Sequence, residues 1–254
     1  MKFDDLDARM RVYETAHDQL IPRGIFPVVR LDGRGFTRLT KEILDLEAPF
    51  DSRFSDFMAT TVEHLMECGF RVLYGYSQSD EISLLLDPEE TAFGRKMRKY
   101  NSILAGEASA RLSLLLGQAA CFDSRICQLT SPNLVEDYFR WRQEDARRNA
   151  LSAYCYWEQR KRGASVAAAT KKLGGLSTAA KIALLADLGI DFEQAPAWQK
   201  NRFGVYWETY EKEGRNPRTG EIVPAVRQRL RRDVQLPLGK EYGRFVLTFL
   251  NPSG

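Results

Sequence analysis

Adjacent carboxylates, Asp80 and Glu81, sit in the stretch Tyr74-Gly75-Tyr76-Ser77-Gln78-Ser79-Asp80-Glu81-Ile82-Ser83, between two short apolar, β-prone runs at 70–76 and 82–86. Period-2 runs bounded by Gly and Ser read as a hairpin, with the acidic pair at its tip. Acidic residues are common in turns, and alone the pair describes a solvated tip. A second stretch changes that reading. Val28-Val29-Arg30-Leu31-Asp32-Gly33-Arg34-Gly35-Phe36 is another apolar strand that ends on a carboxylate, followed at once by Gly33 and Gly35. Glycines there free the backbone for close approach to a ligand. The spacing is not that of a dinucleotide G-x-G-x-x-G turn. Carboxylates brought together beside such a turn suit a hard cation: Mg²⁺ takes oxygen ligands, a couple of carboxylates together with substrate phosphates. Two such ions activate an attacking oxygen and stabilise a leaving one, which is palm-type nucleotidyl-transfer chemistry.

The elements needed to position these groups are legible from spacing. Leu6, Met10, Tyr13, Ala16 or His17 and Leu20 recur at helical intervals over residues 7–20, and Pro22 and Gly24 end that helix. Residues 26–32 form the first strand. Phe54, Phe57, Met58, Thr61, Val62, Leu65 and Met66 make one apolar helix face, capped by Asp51 or Ser52 and stopped by Gly69. The carboxylate hairpin follows, then a helix from about Thr91 to Leu116, then a strand over 119–123 that resumes through Leu129. The order β-α-β-β-α-β is that of the ferredoxin-like split βαβ fold. In that topology the first and third strands are neighbours, so Asp32 and Asp80–Glu81 are expected to converge at one edge of the sheet.

Composition agrees with a soluble globular protein and disfavours several classes. The chain has 254 residues, 44% hydrophobic and 28% charged, enough to bury a core. No apolar run approaches the ~20 residues that span a bilayer, so no membrane partner is expected. The acidic N-terminus lacks a signal-peptide core. Cys68, Cys121, Cys127 and Cys155 show no C-x-x-C spacing and read as reduced, non-ligating thiols of a cytoplasmic protein. With His17 and His64 the only histidines, a His-based triad or zinc site is disfavoured. Residues 1–130 hold 16 Lys+Arg against 20 Asp+Glu, net −4, and residues 131–254 hold 21 against 14, net +7. An acidic front suits divalent metal and a basic back suits a polyanion such as nucleic acid. The chain is therefore read as a catalytic core over 1–130 and a basic C-terminal region over 131–254 that packs on it.

Asp32-Gly33-Arg34-Gly35-Phe36, Ser77-Gln78-Ser79-Asp80-Glu81, Phe122-Asp123-Ser124-Arg125 and Asp137-Tyr138-Phe139-Arg140-Trp141-Arg142-Gln143 together resemble the tRNA-His guanylyltransferase family, the 3′-to-5′ polymerases. The resemblance runs to about residue 190. It implies a polymerase-type palm with two Mg²⁺ ions, ATP, GTP and other nucleoside triphosphates as substrates, tRNA as partner, and a homo-tetramer. It implies Asp32 and Asp80 as metal carboxylates with the Gly33 carbonyl as a further ligand, and Glu81 in support. The loop Asp32, Gly33, Arg34, Gly35, Phe36, Thr37 would cradle a triphosphate through backbone N–H groups, with Ser79 and Asp80 also at the nucleotide. The 3′-hydroxyl of an incoming nucleotide would attack an activated 5′ end of the tRNA, adenylylated by ATP or already a triphosphate.

Two departures from the family pattern matter. Many relatives carry Lys-Pro before the first long helix; here the pair is Ala48-Pro49, with Lys41 and Arg53 as nearby substitutes. Eukaryotic relatives carry His-Ile-Asn-Asn after the Trp-Arg-Gln segment, tied to reading the His anticodon; here Arg147-Arg148-Asn149-Ala150 stands. The chain thus resembles the guanylyltransferase-like branch that rebuilds 5′-truncated tRNA by templated addition, bacterial members most of all, with G addition at position −1 of tRNA-His as the alternative. A long helix over 135–163 carries arginines suited to phosphate contacts, Arg147 and Arg148 among them, and Lys181, in a short helix after Ser177, falls where the resembled family has a Lys near the substrate 5′ end. Residues 203–211 and 221–235 read as a hairpin around Asn216–Gly220, with Arg227, Arg229 and Arg231 on one strand face as an arginine comb for a tRNA backbone. A palm-type nucleotide cyclase would not need the basic half. A non-catalytic RNA-binding module would need exposed aromatics on its central strands, and Ile82-Ser83-Leu84-Leu85-Leu86 has none.

Overall fold

The computed structural model describes residues 2–44, 46–215 and 222–250, apart from the side chains of Lys41, Arg215 and Val223. In chain order its elements are α1 (Phe3–Thr15), β1 (Phe26–Gly33), α2 (Phe36–Arg38, continued by a wider turn over Leu39–Ile43), α3 (Ser52–Glu67), β2 (Val72–Gln78), β3 (Glu81–Leu86), α4 (Met97–Leu116), β4 (Phe122–Leu129), α5 (Pro132–Lys161), α6 (Val166–Leu173), α7 (Thr178–Asp187), α8 (Ala197–Lys200), β5 (Phe203–Arg215), β6 (Ile222–Asp233) and α9 (Gly239–Leu247). Among the described residues no helix is long and apolar enough to cross a membrane.

The six strands form one sheet in the order β4-β1-β3-β2-β5-β6, antiparallel at every pairing. β1 and β3 are therefore neighbouring interior strands, and the carboxylates converge at the sheet edge formed by their common ends. Every residue of β3 is buried. A strand covered on both faces offers no open surface for stacking bases. On one face the apolar stripe of α3 (Met58, Val62, Leu65, Met66) packs with Leu104, Ala108 and Leu112 of α4 over Val29, Leu31 and Leu84. On the other face α5 and α9 bring Val135, Phe139, Tyr242 and Val246 against Val28, Tyr74, Tyr76 and Leu85. The sheet is continuous from the front half to the back, because β5 pairs with β2 from Tyr74↔Tyr206 to Ser77↔Phe203. The predicted turn at Asn216–Gly220 lies outside the described residues.

Local chemistry explains where the elements stop. Asp51 caps α3, its side chain accepting from the Arg53 N–H, and Gly69 follows at φ +92. Ser131 caps α5 through the Leu134 N–H, with Pro132 in the first turn. The helix predicted from Thr91 begins only at Met97. Ahead of it Phe93, Gly94 and Arg95 all take positive φ, and the buried Arg95 guanidinium donates to the carbonyls of Ile21, Pro22, Pro88 and Glu90. A chain folded to aim one arginine at four carbonyls cannot also be helical there. The fourth strand is Phe122–Leu129, shifted towards the C-terminus of the predicted span. The first helix also differs from its prediction: it runs over Phe3–Thr15 and buries no residue. Leu6, Met10 and Tyr13 are 45%, 54% and 72% exposed, so the apolar stripe read from helical spacing does not meet the core.

Two glycines separate packing from propensity. A Cβ on Gly75 of β2 would lie 2.5 Å from Val62 Cγ1, on a stiff β-branched side chain of α3, whereas one on Gly106 of α4 meets nothing within 4 Å. Gly75→Ala is expected to lower stability by about 1–3 kcal/mol, and Gly106→Ala to raise it by about 0.5–1 kcal/mol. Urea unfolding midpoints of the two variants check this; equal shifts would contradict the packing described.

Candidate active site

β1 and β3 run side by side to a common end, where Asp32 is paired across the ladder with Glu81. The β2–β3 turn is a two-residue one, since Gln78 pairs with Glu81, leaving Ser79 and Asp80 at the tip. Ser79 takes φ 52, the left-handed conformation that tight hairpin turns usually assign to Gly or Asn. The tip is fastened to β1 by the Gly33 N–H, which donates to the Asp80 carbonyl at 3.0 Å. Asp32, Asp80 and Glu81 line one cavity of about 640 Å³.

The three carboxylates are held in three different ways. Glu81 is buried between two arginines: Arg30 Nη2 donates to its Oε2, and Arg142 Nε lies 2.8 Å from its Oε1. Gln78 Nε2 donates to the same Oε1 at 3.1 Å. Burial pushes the Glu81 carboxyl up, and Arg142 and Arg30 pull it part of the way back. Both of its oxygens are engaged within the protein. Asp32 is half-exposed, with Arg125 Nη2 3.6 Å from its Oδ2. Asp80 has no arginine: burial pushes its carboxyl above the usual 3.8, and the nearby Asp32 charge adds in the same direction. A carboxylate whose charge is opposed by burial and by a neighbouring carboxylate favours a cation beside it when ionised. Among the described residues no three His, Cys, Asp or Glu side chains form a ready ligand cluster.

The loop 32–37, expected to cradle a triphosphate, has part of its backbone engaged. The N–H groups of Gly33 and Arg34 donate to Asp80 and Cys121 carbonyls, which leaves residues 35–37 to offer free backbone donors. Gly35 sits at φ +73, and Arg34 and Thr37 are exposed. Phe36 is core, its ring against Phe54 and Phe122. A Cβ on Gly33 would lie 2.6 Å from that ring, so glycine lets β1 and α2 close together.

Opposite the sheet, α5 supplies the other wall through Arg142, Asp145, Ala146, Asn149, Ser152 and Tyr156. These fall at helical spacing on one face and were missed as site residues because the face is polar. Arg30, two residues before Asp32 on the same strand face, was legible by the period-2 rule. A second cavity of about 240 Å³ adjoins the first, lined by Leu44, Ala48, Phe54, Met58 and Trp198; Pro49, Phe50, Ser79, Trp157 and Arg202 border both. Of the substitutes for a Lys before Pro49, Arg53 is ion-paired to Asp51 at 2.6 Å, and the side chain of Lys41 lies outside the described residues.

The candidate tRNA contacts divide. Arg147 is paired with Glu193 and donates to Asn201 Oδ1 at 3.1 Å, so it ties α5 to the segment before β5. Arg148 is exposed and, with Lys181, lines a separate cavity of about 280 Å³ beside Ser177. Lys181 Nζ donates to Ser152 Oγ at 2.9 Å. Arg227, Arg229 and Arg231 are exposed on β6, but Arg229 and Arg231 share Glu208 at 2.7 and 2.6 Å.

The family model described as tRNAHis guanylyltransferase matches residues 7–130, and that of the family's C-terminal domain (Thg1 C terminal domain) matches residues 133–235. A probable tRNA(His) guanylyltransferase of Drosophila melanogaster is 30% identical over 190 residues, 71% of this chain and 66% of that relative. The tRNA(His) guanylyltransferase of Debaryomyces hansenii is 27% identical over 201 residues, 74% of this chain and 76% of that one. The chain thus spans a little under two thirds of the first curated animal relatives it matches, 66% of the fly protein and 65% of a mouse one. A bacterial tRNA(HIS) guanylyltransferase (Thg1)-like protein, solved in complex with GTP and with ATP, superposes at TM-score 0.74 with 25% identity, over 97% of this chain and 99% of that one. A tRNA(His) guanylyltransferase from Saccharomyces cerevisiae shares the fold at TM-score 0.70 and 23% identity, over 77% of this chain and 91% of that one.

Asp80 predicts a pH dependence. A carboxyl with a raised folded-state pKa keeps its proton to higher pH when folded than when unfolded, so stability falls as pH rises through that pKa, and ionised Asp80 burdens the fold at neutral pH. Asp80→Asn, measured with chelator present, is expected to melt above the wild type at pH 7. The gain should vanish towards the ordinary carboxyl value of 3.8, where both states are protonated. A melting difference that does not change with pH would contradict it.

Proposed function

We propose that this chain, which belongs to the tRNA-His guanylyltransferase family, is a metal-dependent nucleotidyltransferase that adds nucleotides to the 5′ end of tRNA, rebuilding 5′-truncated tRNA by templated addition. The observation that carries the reading is the convergence of Asp32 and Asp80 in one cavity, at the ends of adjacent strands. The strand order β4-β1-β3-β2, reached through β1-α3-β2-β3-α4-β4, supports a ferredoxin-like, polymerase-type palm beneath that cavity.

The donor set fits Mg²⁺ rather than a softer ion. Asp32 and Asp80 offer hard oxygens, one of them opposed by burial beside the other, a sparse donor set of the kind that Mg²⁺ takes together with substrate phosphates. Asp32, Asp80 and the Gly33 carbonyl would hold it, and when bound it supplies Lewis-acid activation of a hydroxyl and charge neutralisation of a leaving phosphate. The protein's own groups do the positioning. Gly35 to Thr37 and Ser79 face the triphosphate. Arg30 and Arg142 fix Glu81, and through it the register of the β1–β3 end. The α5 face closes the cavity on the opposite side. The 3′-hydroxyl oxygen of the bound nucleotide attacks the α-phosphorus of the activated 5′ end; the new ester forms as pyrophosphate, or AMP from an adenylylated end, departs.

Templated repair is favoured over G addition to tRNA-His because Arg147, standing where eukaryotic relatives carry the His of the anticodon-linked motif, is tied to Glu193 and Asn201. The test offers a tRNA lacking its first 5′ nucleotide, with Mg²⁺, ATP and all four nucleoside triphosphates, to wild type and Asp80→Ala. The wild type is expected to add the nucleotide that pairs with the opposite strand, and the variant to lose about a thousandfold or more in rate. Extension of full-length tRNA-His alone, and only with G, would favour the guanylyltransferase activity instead.

A further inference from the structure

Arg202 occupies an unusual position. It lies between α8 and β5 at φ +66, a left-handed conformation rare for a side chain of this size. It is 9% exposed and borders both adjoining cavities. Its guanidinium stacks on the Phe50 ring at 4.4 Å. Among the described residues it makes no ion pair and no hydrogen bond, and Nε is fully buried without a partner. The other two arginines of the large cavity, Arg30 and Arg142, are both neutralised by Glu81, and Arg142 by Asp145 as well. The neighbouring Ala48 offers no charge. The surroundings that act on Arg202 are the hydroxyls of Tyr76 and Tyr154, and burial lowers its pKa only to about 10, so the charge persists at neutral pH.

A buried, uncompensated guanidinium held in a strained backbone is costly to the folded protein unless something negative meets it. Arg202 lies over Phe50 and lines both cavities, and the planar fork of a guanidinium matches two oxygens of a phosphate. We propose that Arg202 is a phosphate anchor for the nucleoside triphosphate, reaching it from the C-terminal half opposite Asp32 and Asp80. The proposal rests on the nucleotide-binding reading of the cavity. It assigns Arg202 a share of affinity that follows the phosphates and is indifferent to the base.

Calorimetric titration of the full chain with GTP, ATP and guanosine, in the presence of Mg²⁺, tests it. Arg202→Met keeps the stem and its packing on Phe50 while removing the charge. It is expected to weaken GTP and ATP alike by about 10- to 100-fold and to leave guanosine unchanged. Should that variant not fold, Arg202→Lys carries the test: it keeps a point charge without the fork, and GTP is expected to weaken by about tenfold with guanosine again unaffected. Unchanged GTP affinity in both variants would overturn the proposal, as would an equal loss for GTP and guanosine, which would assign Arg202 to the base or to packing. A wild type that binds neither GTP nor ATP would overturn the nucleotide reading itself, and this proposal with it.

Discussion

The buried cluster Arg30–Glu81–Arg142 is the interaction on which the site depends. It joins three elements that are remote in sequence: β1, the start of β3, and the middle of α5. Taking these charges out of water is expensive, and pairing recovers that cost only when the geometry satisfies every oxygen. Here each Glu81 oxygen has an arginine, and Gln78 adds a donor. Removing one partner from such a cluster typically costs about 3–5 kcal/mol, because the remaining charge is left buried and unpaired. The cluster therefore specifies position more than it adds stability. It fixes the β1–β3 end against α5, and so sets how far Asp32 and Asp80 stand from the opposite wall.

Much of this was legible in the sequence because it follows from short-range rules. The two strand ends with carboxylates, the capped apolar helix between them and the strand-helix alternation together require β1 and β3 to be neighbours, and Asp32 does face Glu81 across the ladder. What was not legible depends on contacts between distant segments. Nothing near Arg202 in sequence signals that Phe50 will lie over it. Arg142 and Arg147 lie on a helix whose arginines read as suited to phosphate contacts, yet the first is buried on Glu81 and the second is held by Glu193. Arg95 delays the start of α4 because four carbonyls from two other segments converge on it. The stripe of α1 satisfies a helical period but finds no surface to cover, since periodicity reports a helix and not its partner.

The uneven distribution of charge along the chain has a structural counterpart in the cavity. Asp32, Asp80 and Glu81 come from the acidic front, and Arg142 and Arg202 from the basic back. The two halves meet through one continuous sheet, so residues 1–130 hold the carboxylates without the wall that faces them. The site is a property of both segments.

The same accounting reduces the field that the basic half presents to a polyanion. The net +7 of residues 131–254 already counts that half's own carboxylates, and it overstates the field because Arg142 and Arg232 are also paired with Glu81, Asp56 and Glu63 of the front half. Arg147 is paired to Glu193, Arg229 and Arg231 to Glu208, and Arg232 to Asp56 and Glu63. Arg148 and Arg227 remain exposed, without an ion pair among the described residues. Exposed pairs contribute little to stability, ~0–1 kcal/mol each, so a phosphate competes for these arginines at small cost. Glu208 in particular holds two arginines at once on a sheet edge, an arrangement that keeps the edge strand charged while leaving both guanidiniums able to exchange partners. The arginines read from the sequence as a comb alternate along β6, with the charge of Arg229 and Arg231 partly masked by Glu208.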